Sequence, residues 1–272
     1  MTDQYAVIGN PIAHSKSPRI HAAFASQTDQ NIQYDKLLVE KGQLEHAIDD
    51  FRQQGGKGLN ITVPFKNDAF VLADSLTERA QLAGAVNTLV LNEDGSLHAD
   101  NTDGIGLVHD LTSNHGFNLK GARILLLGAG GAVQGVLLPL LQQQPAEIVI
   151  ANRTVAKAEA LCEKFSDYGK LSASSFEALK GESFDGIING TAASLQGEVP
   201  PLPDNILNNN SWCYDMMYSN EPTAFVTWGK EHGANQSVDG LGMLVEQAAE
   251  SFYLWRNVKP NTVQVINLLR AD

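Results

Sequence analysis

Short apolar runs alternate with stretches of helical spacing along most of this chain. Strands are predicted at 5–8, 33–39, 58–63 and 85–91, and helices at 18–26, 42–54, 66–73 and 77–83. Asn92-Glu93-Asp94-Gly95 reads as a hairpin turn, and a helix over 104–114 follows. Further strands are predicted at 123–127, 147–151, 170–173, 186–189 and 212–214, with helices starting near Thr154, Ser175 and Pro222. The last predicted helix, 241–255, carries Leu244, Ala248, Phe252 and Trp255 at helical spacing. Residues 195–211, rich in Pro and Asn, read as a surface loop. Strand–helix alternation of this kind predicts an α/β fold, with a parallel sheet covered by helices on both faces.

One segment, 124–141, comes close to the roughly 20 apolar residues that a membrane span needs. Gly128, Gly130, Gly131, Gly135 and Pro139 interrupt it, so the expectation is a buried strand, a glycine turn and a buried helix. A length of 272 residues predicts about two domains, and 43% hydrophobic residues supply enough apolar matter for a real core. Nineteen Lys and Arg against 31 Asp and Glu give a formal charge of −12, which repels phosphate backbones and anionic lipid surfaces. No nucleic-acid or membrane partner is therefore expected. Cys162 and Cys213 are too few for a disulfide framework or a four-cysteine zinc site. The start Met1-Thr2-Asp3-Gln4-Tyr5 lacks the pattern of a signal peptide, which makes a cytoplasmic protein the expectation.

Gly128-Ala129-Gly130-Gly131-Ala132 follows an apolar strand and opens a helix, the context of a dinucleotide fingerprint. Without Cβ atoms the backbone can approach a pyrophosphate, and the helix N-terminus supplies N–H groups and positive potential. Val133 stands at the third glycine position, so a tight structural turn is an equal reading of the motif alone. At the end of the next strand, Ala151-Asn152-Arg153-Thr154 puts an arginine where an NAD enzyme carries an acid. Arg153, with Lys157 one turn on, favours a 2′-phosphate and hence NADP; the plain alternative is a solvated basic pair with Thr154 as helix cap.

In Gly9-Asn10-Pro11-Ile12-Ala13-His14-Ser15-Lys16-Ser17-Pro18, Ser17 before Pro18 is explained as a helix N-cap, whereas Ser15 has no such local role. Along Leu59-Asn60-Ile61-Thr62-Val63-Pro64-Phe65-Lys66, alternation sends Leu59, Ile61 and Val63 to one face and Asn60 and Thr62 to the other. Polar residues near the C-terminal end of a parallel strand mark where ligands bind in such sheets. Lys66 falls in the first turn of a helix, where the dipole disfavours a cation. Asp100-Asn101-Thr102-Asp103-Gly104 reads as a turn and cap, and it is not a calcium loop because Ala99 stands at the first ligand position. Lys66 and Asp103 are a workable pair for moving a proton to or from an alcohol, provided that they meet.

Taken together, these segments resemble the shikimate/quinate dehydrogenase family, on its NADP-dependent shikimate branch. Gly84-Ala85-Val86-Asn87-Thr88, Tyr214-Asp215-Met216-Met217-Tyr218 and Asp239-Gly240-Leu241-Gly242-Met243-Leu244-Val245-Glu246-Gln247-Ala248-Ala249 match in the same order. The resemblance implies two α/β domains around a cleft. One is an N-terminal substrate-binding domain, 1–103 plus 240–272, and the other a Rossmann-type NADP-binding domain, 104–239. It implies reversible reduction of 3-dehydroshikimate to shikimate, with Lys66 as general acid/base and Asp103 orienting the reacting hydroxyl. Ser15, Ser17, Asn60, Thr62, Asn87, Asp103, Tyr218 and Gln247 would bind shikimate. Gly128, Ala129, Gly130, Gly131, Ala132, Asn152, Arg153, Thr154 and Lys157 would bind NADP. Met216 and Gly240 would border the nicotinamide, and Glu78 occupies a further cofactor position.

Departures from the family pattern fall at Lys157, often a second arginine, at Met217, often Phe, and at Asn189-Gly190-Thr191-Ala192-Ala193-Ser194. The nearest alternative is a dehydrogenase that also takes quinate and NAD, which Arg153 disfavours. A tRNA-linked reductase would need an early nucleophilic cysteine, and a non-catalytic NADP-binding regulator would have lost Lys66 or Asp103. No metal is expected, and the protein is a monomer or homodimer.

Overall fold

The computed structural model describes residues 2–271; residues 1 and 272, the ends of the substrate domain expected above, lie outside the described residues. It divides into two compact units. One is the chain to Gly106 together with Val245–Ala271, and the other is Leu107–Leu244.

The first unit holds β1 (Asp3–Gly9), α1 (Ser17–Gln27), β2 (Ile32–Leu38), α2 (Leu44–Gln53), β3 (Gly56–Ile61), α3 (Lys66–Leu72), β4 (Ser75–Leu76), α4 (Glu78–Ala83), β5 (Thr88–Leu91) and β6 (Leu97–Asp100). Its sheet has the order β2-β1-β3-β5-β6-β4. β1 runs parallel to β2 and β3, whereas β5 is antiparallel to β3 and β6. This sheet is therefore mixed rather than wholly parallel, because the turn at 92–95 is too short for a crossover and forces a hairpin. Both faces of β1 are buried. Ala6 and Ile8 join a core with Leu44, Ile48, Phe65 and Ala69, while Tyr5 and Val7 pack with Tyr34 and Trp255.

α5 (Asp103–His109) leads into the second unit and continues as a π-helical turn, Asp110–Asn114. There follow β7 (Arg123–Leu127), α6 (Gly131–Leu141), β8 (Glu147–Ala151), α7 (Val155–Lys164), β9 (Leu171–Ser174), β10 (Phe184–Asn189), β11 (Leu207–Asp215), α8 (Ala224–Glu231) and β12 (Gln236–Asp239). All six strands are parallel, in the order β12-β11-β10-β7-β8-β9. α9 (Leu241–Arg256) returns to the first unit, and α10 (Thr262–Arg270) follows it. The apolar stretch at 124–141 resolves into β7 and the eleven-residue α6, in which Val133 and Val136–Leu138 are all buried. No helix among the described residues is long and apolar enough to cross a membrane.

Several predicted elements change. The loop expected over 195–211 holds the start of β11, where Asn208 Nδ2 donates to Asp185 Oδ1 (2.8 Å) and Ser211 is buried. The helix expected from Ser175 is only a 3₁₀ turn, Glu177–Leu179. β12 and α10 were not expected at all, and α9 is not the last helix.

Candidate active site

Lys66 opens α3, and its carbonyl accepts the Val86 N–H (2.9 Å). Asp103 opens α5. Although 37 positions apart, Lys66 Nζ lies 2.5 Å from Asp103 Oδ2. The other carboxylate oxygen, Oδ1, accepts from Asn87 Nδ2 (2.8 Å). The two side chains are 31% and 18% exposed, so a small molecule can reach a pair that water does not freely solvate. A charge-assisted bond on one oxygen and an amide on the other hold the Asp103 carboxylate in one orientation.

Asn87, in the turn before β5, is buried among polar partners. Its Oδ1 accepts from Thr102 N–H (2.9 Å) and Thr88 Oγ1 (2.9 Å), and its Nδ2 also donates to Gln247 Oε1 (3.3 Å). Asn60 on β3 donates through Nδ2 to the Asn87 carbonyl (3.1 Å) and to Ser251 Oγ (3.0 Å), while its Oδ1 accepts from Tyr34 OH (2.7 Å). Burial pushes the Tyr34 phenol well above its ordinary value, so it stays a donor. Gln247 approaches through a close crossing: a Cβ on Gly106 of α5 would stand 2.6 Å from the Gln247 backbone nitrogen. Tyr34, Thr88, Thr102 and Ser251 were not singled out from the sequence as site residues. The only signal for Ser251 was its place four residues after Gln247 on the same helix.

Three expectations near these residues are corrected. Val63 does not share the buried face of Leu59 and Ile61; it is 71% exposed. β3 ends at Ile61, and the chain turns away where Phe65 N–H meets the Thr62 carbonyl (3.0 Å). Thr62 is half-buried in that turn. Ser17 is not the cap of α1, because Lys16 holds that position. Ser15 instead has the local role denied to it above, as its Oγ accepts the Ser17 N–H (3.3 Å). Ser15 and Ser17 are both half-buried, and Glu78 is exposed at the start of α4.

In the second unit, the candidate residues gather at the C-terminal ends of parallel strands, where ligands bind in such sheets. Gly128 follows β7 with φ +101°, a conformation that favours glycine. Gly130 is the N-cap of α6 and makes no side-chain capping bond; a Cβ on Gly130 or Gly131 would meet open space. Ala129 is half-buried and Ala132 exposed. After β8, Asn152 Nδ2 donates to the Thr154 carbonyl (2.8 Å), while Arg153 and Lys157 are exposed. Thr154 is at the N-cap of α7, yet its hydroxyl makes no capping bond. After β11, Met216 is buried, and a Cβ on Gly240 would stand 2.5 Å from the Met216 carbonyl. Burial pushes the Asp215 carboxyl up, against hydrogen bonds led by Thr223 (2.6 Å). Tyr218 is half-buried, and burial raises its phenol, as does the charge of Asp239.

The missing third glycine has a structural counterpart. That glycine normally lets helix and strand pack closely. Here Val133 fills the position, and the space is yielded after β10: a Cβ on Gly190 would stand 2.4 Å from Val133 Cγ2. Gly190→Ala should therefore cost about 1–3 kcal/mol by overpacking. Val133→Ala should recover part of that loss when combined with it. Thermal melts of both single variants, the double variant and the parent give the coupling, and strictly additive losses would refute the exchange.

An all-parallel sheet with an uncapped glycine turn, in a chain that also carries a Lys–Asp pair in a second α/β unit, defines the class: a dinucleotide-dependent dehydrogenase fold. Family models agree. A shikimate dehydrogenase substrate binding domain matches residues 7–89, shikimate/quinate 5-dehydrogenase matches 110–196, and a shikimate 5′-dehydrogenase C-terminal domain matches 240–270. A protein of Cellvibrio japonicus named shikimate dehydrogenase (NADP(+)) is 58% identical over 272 residues, covering 100% of this chain and 98% of its own. One of the same name from Alkalilimnicola ehrlichii is 60% identical, covering 100% of both chains. A crystal structure of an Ael1 enzyme from Pseudomonas putida superposes with a TM-score of 0.94 at 48% identity, covering 98% of each chain. The chain belongs to the shikimate dehydrogenase family.

Proposed function

We propose that this chain catalyses the reversible NADPH-dependent reduction of 3-dehydroshikimate to shikimate, in the biosynthesis of chorismate and aromatic amino acids. The observation that carries this reading is the accessible Lys66–Asp103 pair, 2.5 Å apart and braced by Asn87. Lys66 gives a proton to the C3 oxygen in reduction and takes it back in oxidation, as general acid and base. Asp103 accepts from the C3 hydroxyl and orients it. Ser15, Ser17, Asn60, Thr62, Asn87, Tyr218 and Gln247 hold the carboxylate and the other ring hydroxyls of a substrate that presents donors and acceptors around its ring. On this reading 1–103 with 240–272 is the substrate-binding domain and 104–239 the NADP-binding domain.

The residues present fit a dinucleotide. Gly130 and Gly131 leave open space beside an uncapped helix N-terminus, and Arg153 and Lys157 are exposed cations one helical turn apart. Gly128, Ala129, Gly130, Gly131 and Ala132 hold the pyrophosphate, and Asn152, Arg153, Thr154 and Lys157 hold the adenosine 2′-phosphate end. Met216 and Gly240 border the nicotinamide, with Glu78 as a further contact. When bound, NADPH supplies the hydride. The enzyme is cytoplasmic, a monomer or homodimer, with a small-molecule substrate and no nucleic-acid or membrane partner; its charge of −12 supports the last of these. Initial rates of reduced-cofactor formation, with shikimate or quinate and with NADP or NAD, test it. The fastest combination should be shikimate with NADP. Turnover confined to quinate with NAD, or none at all, would overturn the proposal.

A further inference from the structure

We infer that Ser251 is a positioning residue of the substrate site, holding the Asn60 and Asn87 amides in the orientation the substrate meets. The inference rests on the function proposed above. Ser251 is fully buried on α9, one turn beyond Gln247. Four polar atoms crowd its hydroxyl. They are Asn60 Nδ2 (3.0 Å), Thr88 Oγ1 (2.7 Å), Thr102 Oγ1 (3.3 Å) and the Gln247 carbonyl (3.1 Å).

A hydroxyl has one proton and two lone pairs, so these contacts constrain one another. Asn60 Nδ2 can only donate, and Ser251 therefore accepts from it. The long contact to Thr102 Oγ1 (3.3 Å) aside, the Ser251 proton then has two destinations. If it goes to the Gln247 carbonyl, Thr88 donates to Ser251, and the Asn87 oxygen relies on Thr102 N–H (2.9 Å) and Thr102 Oγ1 (3.1 Å). If it goes to Thr88, the Thr88 proton is released to Asn87 Oδ1 (2.9 Å). In both arrangements Asn60 keeps its nitrogen towards Ser251 and its oxygen towards Tyr34 OH (2.7 Å). Asn87 keeps its nitrogen towards Asp103 Oδ1 (2.8 Å). In the second arrangement a chain of hydrogen bonds runs from Ser251 through Thr88 and Asn87 to Asp103 and Lys66; in the first, Ser251 is linked to Asn87 through Asn60, whose Nδ2 also donates to the Asn87 carbonyl (3.1 Å).

A self-contained explanation of Ser251 falls short. Serine in a helix can satisfy its own proton on the carbonyl four residues back, as the Gln247 contact would do. That leaves its two lone pairs unexplained, and they face Asn60 and Thr88. Alanine is also the better helix former at a buried mid-helix position, so a serine here is held against local preference by the network.

Ser251→Ala tests the role. It deletes one hydroxyl and improves helix propensity, so a residue of merely structural importance would show itself in Tm. A positioning residue shows itself in substrate affinity. We expect the Kd for shikimate, titrated into the protein without cofactor, to rise about 5- to 30-fold. KM for shikimate should rise with it, while kcat falls less and KM for NADP stays within about twofold. Thr88→Val, which cuts the same chain one link on, should give the same KM-against-kcat pattern, and adding Ser251→Ala to it should cost little more. Unchanged shikimate Kd in both variants would overturn the inference. So would parallel losses of shikimate and NADP affinity that track a fall in Tm. A parent protein that turns over no shikimate overturns the functional reading itself, a result distinct from an active parent with indifferent variants.

Discussion

Lys66→Ala should lower kcat by about 10²- to 10⁴-fold, the usual contribution of a positioned acid/base group, with a far smaller change in KM for shikimate. On the function proposed above, shikimate presents its carboxylate and three hydroxyls to many partners, and Lys66 is only one contact among them. Its distinctive quality is position. Nζ is 2.5 Å from Asp103 Oδ2, and Asp103 is held from its other side by Asn87, so Lys66 Nζ has a fixed rather than a wandering location. An effective proton donor must reach the reacting oxygen in the right geometry, and a preset ammonium avoids the reorganisation that a free side chain would need. Lys66→Arg makes a second arm of the same test. Arginine keeps the positive charge and can pair with Asp103, yet a guanidinium does not give up a proton in proteins, so kcat should stay low. Steady-state rates in both directions read the outcome. Near-normal kcat in Lys66→Ala would remove Lys66 from the chemistry, and near-normal kcat in Lys66→Arg would reduce its part to charge alone.

The pair itself illustrates what a sequence can and cannot convey. That Lys66 sits oddly was legible, as a cation in the first turn of a helix, whereas Asp103 reads as part of an ordinary turn and cap. Their meeting was not legible, because it depends on β3, β5 and β6 lining up in one sheet. β7 and β8 match their predicted spans, since unbroken apolar runs with turn residues at each end leave few alternatives. β11 escaped for the opposite reason. Three asparagines at 208–210 read as loop, and they do fall where the register with β10 shifts, between the pairs Phe184–Leu207 and Gly186–Trp212; what holds the stretch is a side chain, since Asn208 finds Asp185. Ser15 and Ser17 show the same limit on a smaller scale: a shift of one residue in the helix start gives the cap position to Lys16 and leaves Ser15 to accept the Ser17 N–H. Gly190 is not legible in the sequence because its meaning is relational. A glycine after a strand says little until Val133 is seen pressing against it.

Arg153→Ala should weaken NADP by about 10- to 100-fold while changing NAD by no more than about twofold, on a charge-assisted bond worth roughly 1.5–3 kcal/mol. Arg153 is exposed immediately after β8, the strand beside β7 and its glycine turn, and the Asn152 side chain turns back to the Thr154 carbonyl (2.8 Å). That bond stiffens the loop that carries the guanidinium. NADP and NAD differ only in the 2′-phosphate, so a residue that serves the phosphate must separate them, and a residue that serves the adenine face or the loop must not. Lys157 sits one turn along and is also exposed, which leaves a second cation when Arg153 is removed. An ammonium binds phosphate as a point charge without the planar fork of arginine, so it should rescue only part of the affinity. Lys157→Ala alone should then cost less than Arg153→Ala, and the double variant should approach equal affinity for the two cofactors. Both losses should shrink as salt rises, because solvent-exposed charge pairs are screened over about 8–10 Å at ordinary ionic strength. Measuring KM for NADP and NAD on all four proteins at low and high salt separates the possibilities. Equal losses for the two cofactors in Arg153→Ala would refute the phosphate role and assign the arginine to the loop or to the adenine instead.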